Sequence, residues 1–232
     1  EIVTKPWRLY TEPLRDFITR YTLKPALLLL CFIIFFKIGE AFLGRMSVVF
    51  YKEIGFSKSD IALLSGGLGT ITVCLFAILG SFFNARYGLL KGIILGGVAM
   101  AMTNLLFVLL AYYPEKWLFT IAVVADQFTT SVSTVAFVAF LSQLCDRRHT
   151  ATHYAALASL GNLSRTVFAA SSGVVVDSLQ EYTGATADSG LADVWAIFFC
   201  LTVLMVLPSL FILRSVYPRI APIMQGTTTK IL

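Results

Sequence analysis

The chain has 232 residues, 57% of them apolar and only 13% charged, with a net charge of +5 and a mean hydropathy of +0.81. A soluble domain carries about twice that charged fraction, so a water-soluble globule is excluded. The basic residues stand at the ends of apolar blocks rather than in one patch, which argues against a nucleic-acid surface, and four scattered cysteines (Cys31, Cys74, Cys145 and Cys200) give neither a disulfide framework nor metal-ligand spacing.

The chain begins at Glu1, with no signal peptide before its first apolar block, and reads as a piece of a longer protein. Residues 1–24 read as a linker. Within it Leu14, Phe17, Ile18 and Tyr21 recur at i, i+3, i+4 and i+7, with Arg15, Asp16, Thr19 and Arg20 opposite and Pro13 suited to a first turn. This predicts a short amphipathic helix over 13–22, either lying on the inner membrane face or serving as a soluble linker helix. Six apolar blocks follow, at 25–50, 60–84, 92–113, 117–143, 153–178 and 192–213. Each is near the ~20 residues that cross a hydrocarbon core, so 25–213 is expected to be an all-α membrane bundle of six transmembrane helices. Residues 214–232 read as a tail.

Four ionisable residues lie about half-way along these blocks: Lys37 and Glu40 in the first, Asp126 in the fourth and Arg165 in the fifth. Their depths come to roughly 14–18 Å from the block ends at 1.5 Å per residue. A charge at that depth costs about 2.5–3.5 kcal/mol on insertion scales. They are therefore expected to face one another or a wet cavity, where carriers hold substrates and coupling ions. A static ion-pair network that holds helices in register is the plain alternative. Lys37 and Glu40, three apart, can pair across one turn. Residues 93–111 and 194–213 hold no Asp, Glu, Lys or Arg.

An even number of spans puts both ends on one side. Twelve cations then fall on that side: Lys5, Arg8, Arg15, Arg20, Lys24, Arg86, Lys91, Arg147, Arg148, Arg214, Arg219 and Lys230. Three fall on the other: Lys52, Lys58 and Lys116. The asymmetry predicts cytoplasmic ends. Tyr112, Tyr113, Trp117 and Trp195 at outer ends, and Tyr87 at an inner end, are expected to form aromatic belts at headgroup level. Gly88, Gly92 and Gly96 predict close helix packing. Arg45 is expected to snorkel outward or reach a cavity mouth, and Asp177 to be solvated. His149 and His153, with Asp146 nearby, are too few for a metal site. Asn162-Leu163-Ser164 matches a glycosylation acceptor only by chance, being inside a span. No phosphate loop, nucleophile elbow or zinc motif occurs, so no catalytic residue, metal or cofactor is expected.

The segment Ser81-Phe82-Phe83-Asn84-Ala85-Arg86-Tyr87-Gly88, with Lys91, resembles the loop motif between the second and third helices of each half of major-facilitator carriers. FKIGEAFLG at 36–44 and AFVAFLSQLCDRRHTATHYAALASLGNLSR at 136–165 resemble the carboxy-terminal half of AmpG-type muropeptide permeases. The likeness runs from about residue 23 to 178 and is most specific from Phe137 to Tyr154. It implies a twelve-helix major-facilitator fold, of which this chain is the second six-helix half, packed against an amino-terminal half. In such a half the first and fourth helices line the cavity and the third and sixth pack outside. It further implies import of N-acetylglucosaminyl-anhydro-N-acetylmuramic acid, with or without peptide, across a bacterial inner membrane with the proton gradient. Lys37 and Glu40 stand at that family's Lys-x-Gly-Asp/Glu, Asp126 at an acidic residue of the fourth helix and Arg165 at the arginine of the fifth. Two departures stand out. Gly66 occupies a position where lysine is expected, which would weaken anion recognition. Thr130 to Ser133 replace a glycine-rich run, which would narrow the cavity. An acetyl-coenzyme A carrier, a non-transporting six-helix interaction protein and a six-helix carrier acting as a homodimer are the other readings.

Overall fold

Each of the six apolar blocks lies in one helical leg of the computed structural model, which describes residues 15, 17–19, 21–145, 150–185 and 190–228. The first leg is two helices, α1 (Leu23–Phe36) and α2 (Ile38–Glu53). The second is α3 (Lys58–Ile61), a π-helical segment (Ala62–Leu68) and α4 (Gly69–Tyr87). The remaining legs are α5 (Leu89–Tyr112), α6 (Lys116–Leu144), α7 (Thr150–Thr183) and α8 (Leu191–Thr228). Among the described residues there is no strand. The chain is an all-α membrane protein: five legs are long and apolar enough to cross a bilayer. The fifth, α7, is long enough at 34 residues but carries Asn162, Ser164, Arg165, Thr166, Ser171 and Ser172, which dilute its apolar character. α8 also continues past 213, through Pro218 and Pro222, to Thr228.

Sequence chemistry explains the turns. Gly55 takes φ +98° just past α2, and the Phe56 N–H donates back to the Tyr51 carbonyl at 3.0 Å, as in glycine-ended helix termini. Ser57 then caps α3, its hydroxyl accepting the Asp60 N–H at 3.1 Å. Gly88, at φ +89°, turns α4 into α5 with open space around it. Its conformation, rather than close packing, is what calls for glycine. Gly92 and Gly96 do pack closely. A Cβ at Gly96 would lie 2.9 Å from the Ser133 Cα, and one at Gly92 would run into Asn84 Oδ1 and stand 3.4 Å from the Ala136 Cβ.

The core is in two parts. Towards the end of the bundle where the first leg begins, Phe32, Phe36, Phe137 and Phe140 gather with Leu29, Leu144 and Leu213. Phe17 and Tyr21, from the segment before α1, join this cluster, and the Tyr21 hydroxyl donates to the Leu144 carbonyl at 3.2 Å. Their apolar side therefore packs on the bundle itself; Leu14, Asp16 and Arg20 of the expected amphipathic helix lie outside the described residues. Towards the opposite end, Phe50, Tyr51, Phe107, Phe119, Trp195, Phe198 and Phe199 form the second cluster. Trp195 is thus not a belt residue. It is fully buried, and its indole N–H donates to Glu53 Oε2 at 2.9 Å, which satisfies the ring's polar group inside the protein. Tyr87, Tyr112, Tyr113 and Trp117 are exposed at leg ends, where a belt needs them.

Between the clusters runs a polar stratum. It holds Lys37 and Glu40, Asn104 donating to Thr202 Oγ1 at 2.8 Å, and Thr103 opposite Thr129 at 3.4 Å. Interhelical hydrogen bonds of this kind tie legs together where no water competes, each worth about 0.6 kcal/mol.

Candidate functional site

The first leg breaks at Lys37, which sits at φ −95°, ψ 2°, in the sparsely used bridge region. Neither proline nor glycine occupies the position. The break creates two helix ends at mid-leg, and each receives the charge its dipole favours. Lys37 stands at the carboxyl end of α1; Glu40 lies in the first turn of α2. One turn before the break, Ser164 of α7 donates its hydroxyl to the Ile34 carbonyl at 3.3 Å. Two residues after it, Gly39 lies so close to α8 that a Cβ would stand 2.7 Å from Val206 Cγ2.

Both charged side chains are buried, Lys37 to 7% exposure and Glu40 to 8%. The Lys37 ammonium pairs with Glu40 Oε2 and donates to Thr134 Oγ1 of α6 at 2.7 Å. Arg165 of α7 brings Nη2 to 3.9 Å from Glu40 Oε1 and keeps 53% of its side chain exposed. One carboxylate is thus shared between a tightly held ammonium and a loosely held guanidinium, from two legs. Sequence reasoning missed Thr134 and Gly39. Threonine is ordinary in a membrane helix, but Gly39 inside Lys-x-Gly-Glu carries a signal: small residues mark close helix approach.

A cavity of about 140 Å³ opens beside this cluster, lined by Lys37, Glu40, Thr134, Phe137, Val138, Leu141, Tyr154, Ala158, Gly161, Asn162 and Arg165. Asn162 and Arg165 also line a larger groove of about 460 Å³, with Arg45, Thr166, Ala169 and Ala170. The described lining comes from the first, fourth and fifth legs, and none comes from α5 or α8. The apolar outer faces of those two legs, with Leu95, Val98 and Met102 on α5 and Leu204, Leu207 and Phe211 on α8, are exposed for lipid.

Lys37, Glu40 and Arg165 come together. Asp126 does not join them. Half-buried on α6, it makes no ion pair among the described residues and lines neither hollow. It lies eight residues from Thr134, about 12 Å along α6 towards the end where that helix begins. Equal depth counted from separate block ends does not fix relative height in the folded bundle. Asn162 faces the cavity from inside α7. His153 is buried, while Asp146 and His149 lie outside the described residues. No group of three or more potential metal ligands occurs among the described residues.

The departure at Thr130 to Ser133 has a packing account. Val132 meets Gly80 of α4, its Cα 3.1 Å from where a Cβ would stand, and Ser133 meets Gly96 of α5. The added bulk on α6 fills space left by glycines on its neighbours, and none of these four residues lines either hollow. Gly66 is exposed in the π-helical segment, where its carbonyl accepts from Thr70 Oγ1 at 2.6 Å.

No family model matches the chain. Among curated proteins it is similar to one named "Putative transporter AmpG 4" in Rickettsia conorii, 30% identical over 210 residues that make up 90% of this chain and 47% of that protein. It is also similar to "Putative transporter AmpG 1" of Rickettsia bellii, 26% identical over 82% of this chain and 43% of that protein. The "Anhydromuropeptide permease" of Escherichia coli K12 is 26% identical over 87% of this chain and 38% of that protein. The chain therefore spans less than half the length of these curated relatives. Its likeness is to one half of an AmpG-type protein and extends over nearly the whole chain.

Proposed function

We propose that this chain is the carboxy-terminal half of a secondary carrier that imports anhydromuropeptides across a bacterial inner membrane by alternating access, coupled to protons. The observation that carries the reading is the meeting of Lys37, Glu40 and Arg165 where the first leg breaks between the two apolar clusters, beside a hollow. Carriers bind their substrates at midplane sites formed by discontinuous helices. The likeness to AmpG-type proteins supplies the substrate class.

The side chains suggest how the cycle runs. In the empty site Glu40 neutralises Lys37 and draws on Arg165. An anionic group of the ligand enters beside Arg165, the member with solvent around it, and takes over its pairing. A proton reaching Glu40 then frees the Lys37 ammonium, still oriented by Thr134, to hold the ligand while the two halves rock. Asp126, outside the cluster, is the second candidate for the coupling proton. Both chain ends lie in the cytoplasm on this reading, and the amino-terminal half covers the exposed groove face. An interaction protein without transport needs no hollow beside its buried charges, so the cavity favours the carrier.

The test is uptake of labelled GlcNAc-anhydroMurNAc peptide by inverted and right-side-out vesicles carrying the complete protein, with and without an imposed proton gradient. Acetyl-coenzyme A serves as competitor. Saturable, gradient-driven uptake that is lost in Glu40→Gln and Arg165→Gln at equal expression is expected. Uptake at the level of empty vesicles, or competition by acetyl-coenzyme A but not by unlabelled muropeptide, overturns the substrate assignment.

A further inference from the structure

Arg45 takes no part in the Lys37 cluster, yet its placement is unusual. It lies eight residues beyond Lys37, about 12 Å outward along α2, and as far again from the helix end at Glu53. It is exposed and makes no ion pair among the described residues. A guanidinium at that depth is costly against lipid. It lines a groove instead, and the second cation of that groove is Arg165.

We propose that Arg45 and Arg165 form a second anion subsite in the outer groove, taking a carboxylate or phosphate of a ligand whose other anionic group sits beside Lys37. Three features support this. The described lining contains two guanidiniums and no Asp or Glu; Asp126, at a similar depth, does not face it. Two guanidiniums on one groove offer an oxyanion two planar forks of N–H donors, the geometry that holds carboxylate and phosphate. The groove has room, about 460 Å³ floored by Ala169 and Ala170. It adjoins the inner cavity, with Asn162 and Arg165 lining both. An extended ligand with anionic groups up to about 12 Å apart spans the two. Arg45 thereby distinguishes a ligand with a second anionic group from one without. The ligand's identity, but not the subsite, rests on the transport reading.

Two measurements on the complete protein test the subsite. The first compares uptake of peptide-bearing and peptide-free anhydromuropeptide, and competition by acetyl-coenzyme A, in wild type, Arg45→Gln and Arg45→Lys. Half-saturation for the peptide-bearing ligand is expected to rise about tenfold or more in Arg45→Gln, as for loss of one charge-assisted hydrogen bond. The peptide-free ligand should be unaffected and Arg45→Lys intermediate. Weakened competition by acetyl-coenzyme A alone assigns the subsite to phosphate instead. Equal effects on all three, or none, overturn it. The second measurement needs no transported ligand. Arg45→Cys, with the four native cysteines replaced, is labelled by membrane-impermeant thiol reagents of opposite charge. Faster reaction with the anionic reagent, lost on adding Arg165→Gln, is expected. No reaction, or no preference for the anion, overturns the subsite. Should the preference hold while the wild type takes up no muropeptide, the transport reading falls and the subsite stands.

Discussion

The buried pair at the break in the first leg lends itself to a double-mutant cycle. With Lys37 at 7% and Glu40 at 8% exposure, neither charge can turn to solvent when its partner is removed. Glu40→Gln leaves the Lys37 ammonium with the Thr134 hydroxyl as its remaining charge-stabilising contact, and removing one member of a buried pair costs about 3–5 kcal/mol. Lys37→Met strands the Glu40 carboxylate with Arg165, which at 3.9 Å and half-exposed is a weak substitute; the loss is of the same order, trimmed by protonation of the carboxylate. Replacing both removes both charges and keeps the volume, which is often close to neutral. The double variant is therefore expected to lose at least about 2 kcal/mol less than the sum of the single losses. Denaturant unfolding of the complete protein in mild detergent, for all four species, reads this directly. Losses that add to within about 0.5 kcal/mol would show that the two charges do not depend on each other, and the reasoning built on a shared carboxylate would fail.

Three further outcomes follow from the same geometry. Gly39→Val is expected to cost about 1–3 kcal/mol by overpacking, since even a Cβ there meets Val206 Cγ2 at 2.7 Å, whereas Gly66→Ala, with nothing within 4 Å, should unfold like the wild type; thermal unfolding of the pair decides it. Arg165→Gln should shift unfolding by no more than about 0.5 kcal/mol, as for an exposed ion pair, yet abolish uptake, so equal losses in both assays would make Arg165 structural. Trp195→Phe should cost about 1 kcal/mol or more through the lost hydrogen bond to Glu53, measured as a shift in the denaturant midpoint, and Glu53→Gln should not add a full second increment, because both changes break one contact.

Much of the fold was legible because the length of apolar blocks near 20 residues is dictated by bilayer thickness. Lys37 and Glu40 were legible as partners because three residues is close to one helical turn. Gly92 and Gly96 were legible because close approach has a small-residue signature. What escaped depends on three-dimensional direction. Asp126 has the same nominal depth as Lys37 when each is counted from its own block end, yet it lies about 12 Å along α6 from Thr134, which Lys37 bonds; block ends read from sequence do not fix how separate helices are staggered. Trp195 sits where a belt residue would, yet its ring turns inward to Glu53. The backbone break at Lys37 has no proline or glycine to announce it; it is held by tertiary contacts, with Ser164 at one side and the tight seat of Gly39 at the other. Thr130 to Ser133 looked like an obstruction because their counterparts, Gly80 and Gly96, lie far off in sequence.

The two aromatic clusters are filled by different stretches of the same leg, α1 below and α2 above, with only Lys37 between them. Such a leg behaves as a jointed rod whose segments are each gripped firmly by separate vises. Bending at the waist would fall on the contacts that hold the break, the Ser164 hydrogen bond, the Lys37 pairings and the seat of Gly39 against Val206. A molecule made this way can change shape in the middle of the membrane without loosening either end of its interior.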